Sequence, residues 1–392
     1  LEHIYCASLR VKIMVKVPFT FPARCSGDIE NILSSINQGQ IVGDGPFTKK
    51  AQILLTEQLS SSGKILLTTS CTHALEIAAI LLDICPGDEV IVPSYTFVSS
   101  ALAFHMRGAK IVFADVRADT LNIDVSKLED LVTARTRAIV AVHYGGVACE
   151  MDELMVLALK YKLSIVEDNA HGLYGKYRDQ YLGSIGSIAT QSFHGTKNIS
   201  CGEGGALILN DPKFFERADI IREKGTNRSR FLDGKIDKYT WVDKGSSYVM
   251  SDILAALLYS QLVAADSIQY KRKKIWDTYN KELKTWADGL GVLLPHIPDY
   301  CSQTFHLFYL IFPSVSIRNS FIKFMASKNI FAASHYQPLH SSGFMLKSGD
   351  DWYDTCPVTT RISGCLVRLP LFSDMSEEQL EHVLLCVREF EF

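Results

Sequence analysis

Ser192-Phe193-His194-Gly195-Thr196-Lys197-Asn198, running on into Cys201-Gly202-Glu203-Gly204-Gly205, is the stretch on which the fold turns. Ser192 and His194 alternate around Phe193 as at the end of a strand, and the glycines beyond Lys197 let backbone approach a ligand closely. Upstream, the apolar run Leu163–Val166 leads into Glu167-Asp168-Asn169-Ala170-His171 and reads as a buried strand ending in an acid. An acid at a strand end and a lysine able to reach the same crevice are what pyridoxal 5'-phosphate (PLP) requires. The lysine attaches the cofactor aldehyde, and the carboxylate keeps the pyridine nitrogen protonated so that the ring accepts electrons.

Outward from this pair, strand and helix signals alternate. Strands are expected at Asp88–Pro93, Lys110–Val116, Arg137–Tyr144, Ser164–Asn169, Ala189–Phe193 and Gly205–Leu209, with helices near Thr72–Leu82, Phe97–Arg107, Ser126–Val132 and Met151–Tyr161. Continuous apolar strands separated by helices predict an α/β fold, its mostly parallel sheet covered on both faces. Ligands of such sheets bind outside the carboxyl ends of the strands, where Asp168 falls. A long helical stretch follows over Ser251–Lys284. Beyond it, short strands at Leu307–Phe312 and Ile330–Ala333 and a terminal helix Glu377–Phe390 predict a smaller α+β unit. The expected division is a large PLP-binding domain over 14–265 and a small C-terminal α+β domain over 266–392. Residues 1–13 (LEHIYCASLRVKI) resemble neither a signal peptide nor the start of a domain, and are expected to be a non-native or disordered leader before Met14.

Composition narrows the function classes. The chain has 392 residues, 47% hydrophobic and 21% charged, with a formal charge of -3, so neither nucleic acid nor an anionic membrane is an expected partner. Cysteines 6, 25, 71, 85, 149, 201, 301, 356, 365 and 386 show no CxxC and no metal-ligand spacing, which predicts reduced thiols, no metal and a cytoplasmic protein. No apolar run reaches the ~18 residues that a membrane span needs.

Several further residues are candidates for chemistry. Thr69-Ser70-Cys71-Thr72-His73-Ala74-Leu75 reads as a strand end turning into a helix, whose free amides and dipole suit a phosphate. Phe97, in Pro93-Ser94-Tyr95-Thr96-Phe97, is either core filler or a stacking partner for a cofactor ring. Asp168 is either a turn cap or the partner of a pyridinium. His171 is either a packed histidine or a contact to the ring or its hydroxyl. His335-Tyr336-Gln337-Pro338-Leu339-His340 and the polar loop Lys224-Gly225-Thr226-Asn227-Arg228 are candidate substrate contacts, Arg228 as a clamp for phosphate or carboxylate.

Together these residues resemble the DegT/DnrJ/EryC1/StrS family of PLP-dependent nucleotide-sugar aminotransferases, from about Pro18 to the C-terminus. Gly43-Asp44-Gly45-Pro46-Phe47-Thr48, Pro93–Ser99, Val142-His143-Tyr144, Glu223–Arg228 and Gly245-Ser246-Ser247-Tyr248 look most like the branch of dTDP-4-amino-4,6-dideoxygalactose transaminases. The resemblance implies the fold-type I scaffold and homodimers with shared active sites. It implies Lys197 as the Schiff-base lysine, Asp168 against the pyridine nitrogen, Phe97 stacked on the ring and His171 near its O3′ side. Thr72, the His73 backbone and Ser192 would hold the phosphate, while Thr226, Asn227, Arg228, His335 and His340 stay candidates for substrate from their own segments. Many relatives carry asparagine where this chain has Val249, so a cross-subunit phosphate contact would have to come from elsewhere.

The expected activity is transfer of an amine from L-glutamate to a dTDP-4-keto-6-deoxyhexose, giving a 4-amino-4,6-dideoxy sugar for a surface polysaccharide such as lipopolysaccharide, O-antigen or enterobacterial common antigen. Amination at C3, and a non-catalytic regulatory role on the same fold, stay open as alternatives.

Overall fold

The computed structural model describes residues 15–347 and 355–392, so the expected leader at 1–13 lies outside the described residues. Seven strands form the central sheet: β1 (Lys64–Thr68), β2 (Glu89–Pro93), β3 (Lys110–Ala114), β4 (Thr136–Val142), β5 (Ser164–Asp168), β6 (Ile188–Ser192) and β7 (Gly205–Leu209). Their spatial order is β1-β7-β6-β5-β4-β2-β3. β7 runs antiparallel to both of its neighbours, while the pairings among β2 to β6 are parallel. The expected α/β fold is therefore present, with one reversed strand.

Strand alternation explains the two covered faces. Val90 and Val92 pack with Leu75, Ile77 and Ala78 of the helix Cys71–Leu81, whereas Ile91 faces Met151, Leu154 and Leu157 of Met151–Tyr161. Asp168 is the last residue of β5, in register with Val142 of β4 and Thr190 of β6. The acid thus emerges between two strands, above the middle of the sheet.

Three sequence expectations are corrected. The helix expected over Ser126–Val132 is two single 3₁₀ turns, Val125–Lys127 and Glu129–Leu131, around the fully buried Leu128. The stretch expected to be helical from Ser251 is two helices, Asp252–Val263 and Ala265–Leu290, broken at Ala264. Ile330–Ala333 forms no strand and makes only isolated bridges, Val17 with Ile330 and Ala333 with Arg368.

Helices that the sequence reading did not anticipate, Asp28–Asn37 and Pro46–Gln58, pack on Asp252–Val263. Asp252 anchors the second of them by accepting from Phe47 N at 3.1 Å, Thr48 N at 2.8 Å and Thr48 Oγ1 at 2.8 Å. Position 45 has to be glycine, because a Cβ there would lie 2.4 Å from Asp252 Cγ.

A second, two-stranded antiparallel sheet pairs β8 (Phe308–Ile311) with β9 (Leu366–Leu369). The helix Ala265–Leu290 serves both units. Ala265 and Ile268 lie in the core beneath the large sheet, and from Ile275 onward Trp276, Tyr279 and Leu283 join Phe308, Leu310, Val367 and Leu369 in the second core. Val17 is buried in that second core too, so the N-terminal edge of the expected 14–265 domain packs with the small unit. Among the described residues no helix is long and apolar enough to cross a membrane, and every cysteine is a free thiol.

Candidate active site

A cavity of about 600 Å³ opens at the carboxyl ends of β4, β5 and β6, closed on its far side by residues around β8 and β9. Thr72, Phe97, Asp168, His171, Ser192, Lys197 and His335 all line it, so most of the expected site comes together.

Lys197 reaches the cavity because the β6–β7 hairpin continues past the sheet. Phe193 N donates to Gly204 O at 2.8 Å, Cys201 N to Phe193 O at 2.9 Å and Gly195 N to Gly202 O at 2.8 Å. Phe193, Ile199 and Cys201 bury their side chains beneath this loop, leaving Lys197 over the cleft. Lost hydration pushes its amine down from 10.5 to about 8, with the negative charge of Asp168 opposing the shift and Arg368 adding to it. Such an amine reaches its nucleophilic neutral form far more readily than a surface lysine. The sequence reading did not single out Asn198, next in the chain. It ties the loop down by donating to Thr304 O at 2.8 Å and Gln269 Oε1 at 2.9 Å, and it accepts from His306 Nδ1 at 2.8 Å.

Asp168 is 5% exposed. Its Oδ2 accepts from Ser100 Oγ at 2.6 Å, and Ser100 is in turn 2.8 Å from Thr96 Oγ1. Oδ1 accepts from Ala170 N at 3.2 Å. Ser100 was not among the expected residues, and its neighbour Ser99 lines the cavity 2.7 Å from Thr72 Oγ1.

The helix Cys71–Leu81 aims its N-terminus into the same space, with Ser70, Cys71 and Thr72 on the lining. Ser70 Oγ accepts from His73 N at 3.1 Å, so the amide expected to meet a phosphate already has a partner, whereas the amides of Cys71 and Thr72 have no intrahelical acceptor. The His73 ring turns to Thr69 and Tyr248 instead, 5.0 Å between ring centres in the second case. Gly205 permits the close approach, since a Cβ on it would lie 2.4 Å from Cys71 N.

The other wall is aromatic. His171 stacks on His306, 4.2 Å between centres and 27° between planes. Its Nδ1 accepts from Gly145 N at 3.2 Å, which leaves Nε2 to carry the proton toward Tyr336 OH at 3.2 Å. Burial holds His171, His306 and His335 well below the ordinary histidine range, so all three are neutral, and the charge on Lys197 or Arg368 acts in the same direction. His335 Nδ1 meets Tyr144 OH at 2.6 Å and its ring stacks on Tyr336 at 3.7 Å.

Four expected substrate contacts lie elsewhere in the chain. His340 is buried, 2.6 Å from Ser94 Oγ and 3.3 Å from Thr360 Oγ1, and does not line the cleft. Thr226 Oγ1 donates to Glu223 O, Asn227 Oδ1 accepts from Thr240 N, and Arg228 pairs with Glu223 at 3.3 Å. These three sit on an arm outside the cavity of their own chain.

The donor set fits PLP. The open amides of Cys71 and Thr72 beside Ser192 would suit a phosphate, Asp168 a pyridine nitrogen and Lys197 an aldehyde, and Phe97, 56% exposed at the cleft, would offer a face to a flat ring. A half-buried lysine over the cleft, a buried acid at a strand end and a sheet with one reversed strand define a PLP-dependent enzyme of fold type I. The sequence pattern of the DegT/DnrJ/EryC1/StrS aminotransferase family matches residues 25–388, and the chain belongs to that family. It is 31% identical over 385 residues to an uncharacterised protein of Methanocaldococcus jannaschii, covering 96% of this chain and 98% of that one. It is 30% identical over 380 residues to the spore coat polysaccharide biosynthesis protein SpsC of Bacillus subtilis, covering 95% and 96%. Among solved structures, Spr1654 of Streptococcus pneumoniae, assigned as a sugar aminotransferase and solved in PLP and PMP forms, superposes with a TM-score of 0.88. The identity is 27%, over 95% of this chain and 98% of that one.

Proposed function

We propose that the chain is a nucleotide-sugar aminotransferase converting a dTDP-4-keto-6-deoxyhexose into the 4-amino-4,6-dideoxy sugar of galacto configuration. Its amine comes from L-glutamate, and its product serves a surface polysaccharide made from cytoplasmic precursors. The observation that carries this reading is the pairing of a PLP seat around Lys197 and Asp168 with a facing wall of neutral imidazoles and tyrosines. That wall suits a hydroxylated ring better than an apolar chain. The names of SpsC and Spr1654 support a sugar as acceptor.

When bound, PLP supplies the electron sink for the carbon that loses or gains a proton. The protein does the rest. Lys197 Nζ holds the cofactor, and its lowered basicity lets the freed amine take and return a proton at the adjacent carbon. Asp168, fixed by Ser100, keeps the pyridine nitrogen protonated. Thr72, Ser192 and the open amides anchor the phosphate so that the ring cannot slide during the reaction.

The reading includes a homodimer with shared sites. The arm that carries Arg228 also exposes Trp241, at 79%, with Leu232, Tyr239 and Val242, an apolar surface suited to a second subunit. Arg228 is then the clamp for the neighbour's sugar-nucleotide pyrophosphate.

Incubating the protein with PLP, L-glutamate and, in separate reactions, dTDP-4-keto-6-deoxyglucose or its 3-keto isomer, and solving each product by NMR, tests the reading. An axial amine at C4 is the expected result. An amine at C3, formed from the 3-keto isomer alone, would replace it with the C3 reading, and absence of transfer to either keto sugar would end both.

A further inference from the structure

Arg368 stands on β9, where the alternation Leu366-Val367-Arg368-Leu369 sends Val367 and Leu369 into the second core and turns Arg368 toward the cleft. Its backbone is held on both sides. Tyr309 is its partner across the β8–β9 pair, and its amide donates to Ala333 O at 2.8 Å. The guanidinium lies 4.5 Å over the Phe19 ring and bears on Lys197, His171, His306 and His335.

Among the described residues Arg368 makes no ion pair, and its Nε is buried without a hydrogen-bond partner. The cleft lining holds two acids. Asp168 is engaged by Ser100 and faces the cofactor seat, and Glu203 is exposed at the rim, 3.7 Å from His194. Burial without a partner pushes the Arg368 guanidinium below its usual range. A desolvated guanidinium with open donors is costly alone and favourable against an anion, and its flat fork matches a carboxylate.

Reaction geometry selects which anion. In an α-amino acid the carboxylate is bonded directly to the carbon whose proton passes to Lys197, so its counter-charge must stand close to Lys197. The diphosphate of a sugar nucleotide is attached across the sugar ring from the reacting carbon and lies farther out. The cofactor phosphate is served by the helix N-terminus at Cys71 and Thr72.

We propose that Arg368 is the carboxylate anchor for the amino donor, forking onto the α-carboxylate of L-glutamate or a similar α-amino acid while Lys197 works on the adjacent carbon. This rests on the aminotransferase reading above and adds to it the residue that recognises the donor. The sugar substrate has no carboxylate, so Arg368 serves one half of the reaction only.

The test compares the two half-reactions in Arg368→Gln and Arg368→Lys holoenzymes, each followed in single turnovers by cofactor absorbance. With L-glutamate, the glutamine variant should lose roughly 10- to 100-fold in the second-order rate, the worth of a charge-assisted hydrogen bond. With the dTDP-amino sugar as donor, the same variant should stay within about 3-fold of wild type, since no charge-assisted bond is lost there. Calorimetric binding of maleate, an unreactive dicarboxylate, should weaken in parallel with the glutamate reaction. Equal loss in both halves, loss confined to the amino sugar, or unchanged maleate affinity would overturn the assignment. Should the glutamine variant fail to hold cofactor, the lysine variant decides: charge kept and fork lost predicts a smaller loss, still confined to glutamate. Wild-type enzyme that reacts with glutamate but with no keto sugar would sink the sugar reading and leave Arg368 standing. Wild-type enzyme that reacts with no α-amino acid would sink both.

Discussion

On the sheet side of the cleft, the polar side chains around the lysine and the acid meet partners before any ligand arrives, and only the helix-end amides of Cys71 and Thr72 are left open. Ser100 holds Asp168, Ser99 holds Thr72, and Asn198 ties the lysine loop to Thr304 and Gln269. Across from it, Arg368 has no acid partner among the described residues, and three neutral histidines stand stacked among tyrosines. A cofactor that stays through every turnover can be matched by a finished seat. Substrates that must come and go meet a wall whose strongest group is satisfied only while they are present.

The largest expected break in this contrast is Lys197→Ala. It should lower turnover by roughly 10⁴-fold or more and remove the visible absorption of the bound cofactor. Borohydride reduction and peptide mapping check the attachment point, and a pyridoxyl group on any other lysine would refute the assignment. Asp168→Asn comes next. It should keep the cofactor yet slow both half-reactions by roughly 10- to 1,000-fold, the equivalent of one to three pKa units at the pyridine nitrogen. Near-normal turnover would place Asp168 outside the chemistry.

Asn198→Ala probes how the finished wall is held. Three hydrogen bonds disappear and the Thr304 carbonyl loses a donor, so denaturant unfolding should show about 1–3 kcal/mol of lost stability. An unchanged midpoint would mean that the loop is held by Phe193, Ile199 and Cys201 alone.

The smallest effect is a pH signature of Lys197 in the cofactor-free protein. Its amine titrates near 10.5 in the unfolded chain and at about 8 in the folded one. Below pH 8 both forms are charged and the folded state bears the whole cost of desolvation. Between pH 8 and 10.5 the unfolded chain still holds a proton that the folded chain has released, so stability rises with pH. Lys197→Met should therefore be the more stable apoprotein near pH 7, by on the order of 1–2 kcal/mol, with the gap closing toward pH 10.5. A gap constant across that range would show the amine to be hydrated.

Much of the sheet side was legible because its signals are local. Apolar runs marked β2 to β7, and Lys197, Asp168, Thr72, Ser192 and Phe97 each stand at a strand end or in the turn that follows one. His171 and His335 were also found, but His340, from the same segment as His335, is taken up by Ser94 and Thr360, contacts far away in sequence. Asn198 stood inside the lysine motif and went unread because its partners, Gln269 and Thr304, belong to distant segments. Ser100 was hidden for the same reason, its function being set by a residue two strands away. Arg368 did leave a signal, a lone charge in the apolar run Leu366–Leu371, which a buried strand tolerates only with a purpose. The helix over Ser126–Val132 was over-read because Val125, Leu128, Leu131 and Val132 do have helical spacing, yet the chain closes only two single 3₁₀ turns around the buried Leu128.

The helix Ala265–Leu290 has a mechanical consequence. At 26 residues it is a rod of about 39 Å, its first turn clamped in one core and its remaining length in the other. Loosening either core frees one end of the rod and exposes the apolar side chains that the other core needs from it. Melting is thereby coupled across the molecule, and the two units are expected to lose structure as one cooperative body, although each has a sheet and a core of its own.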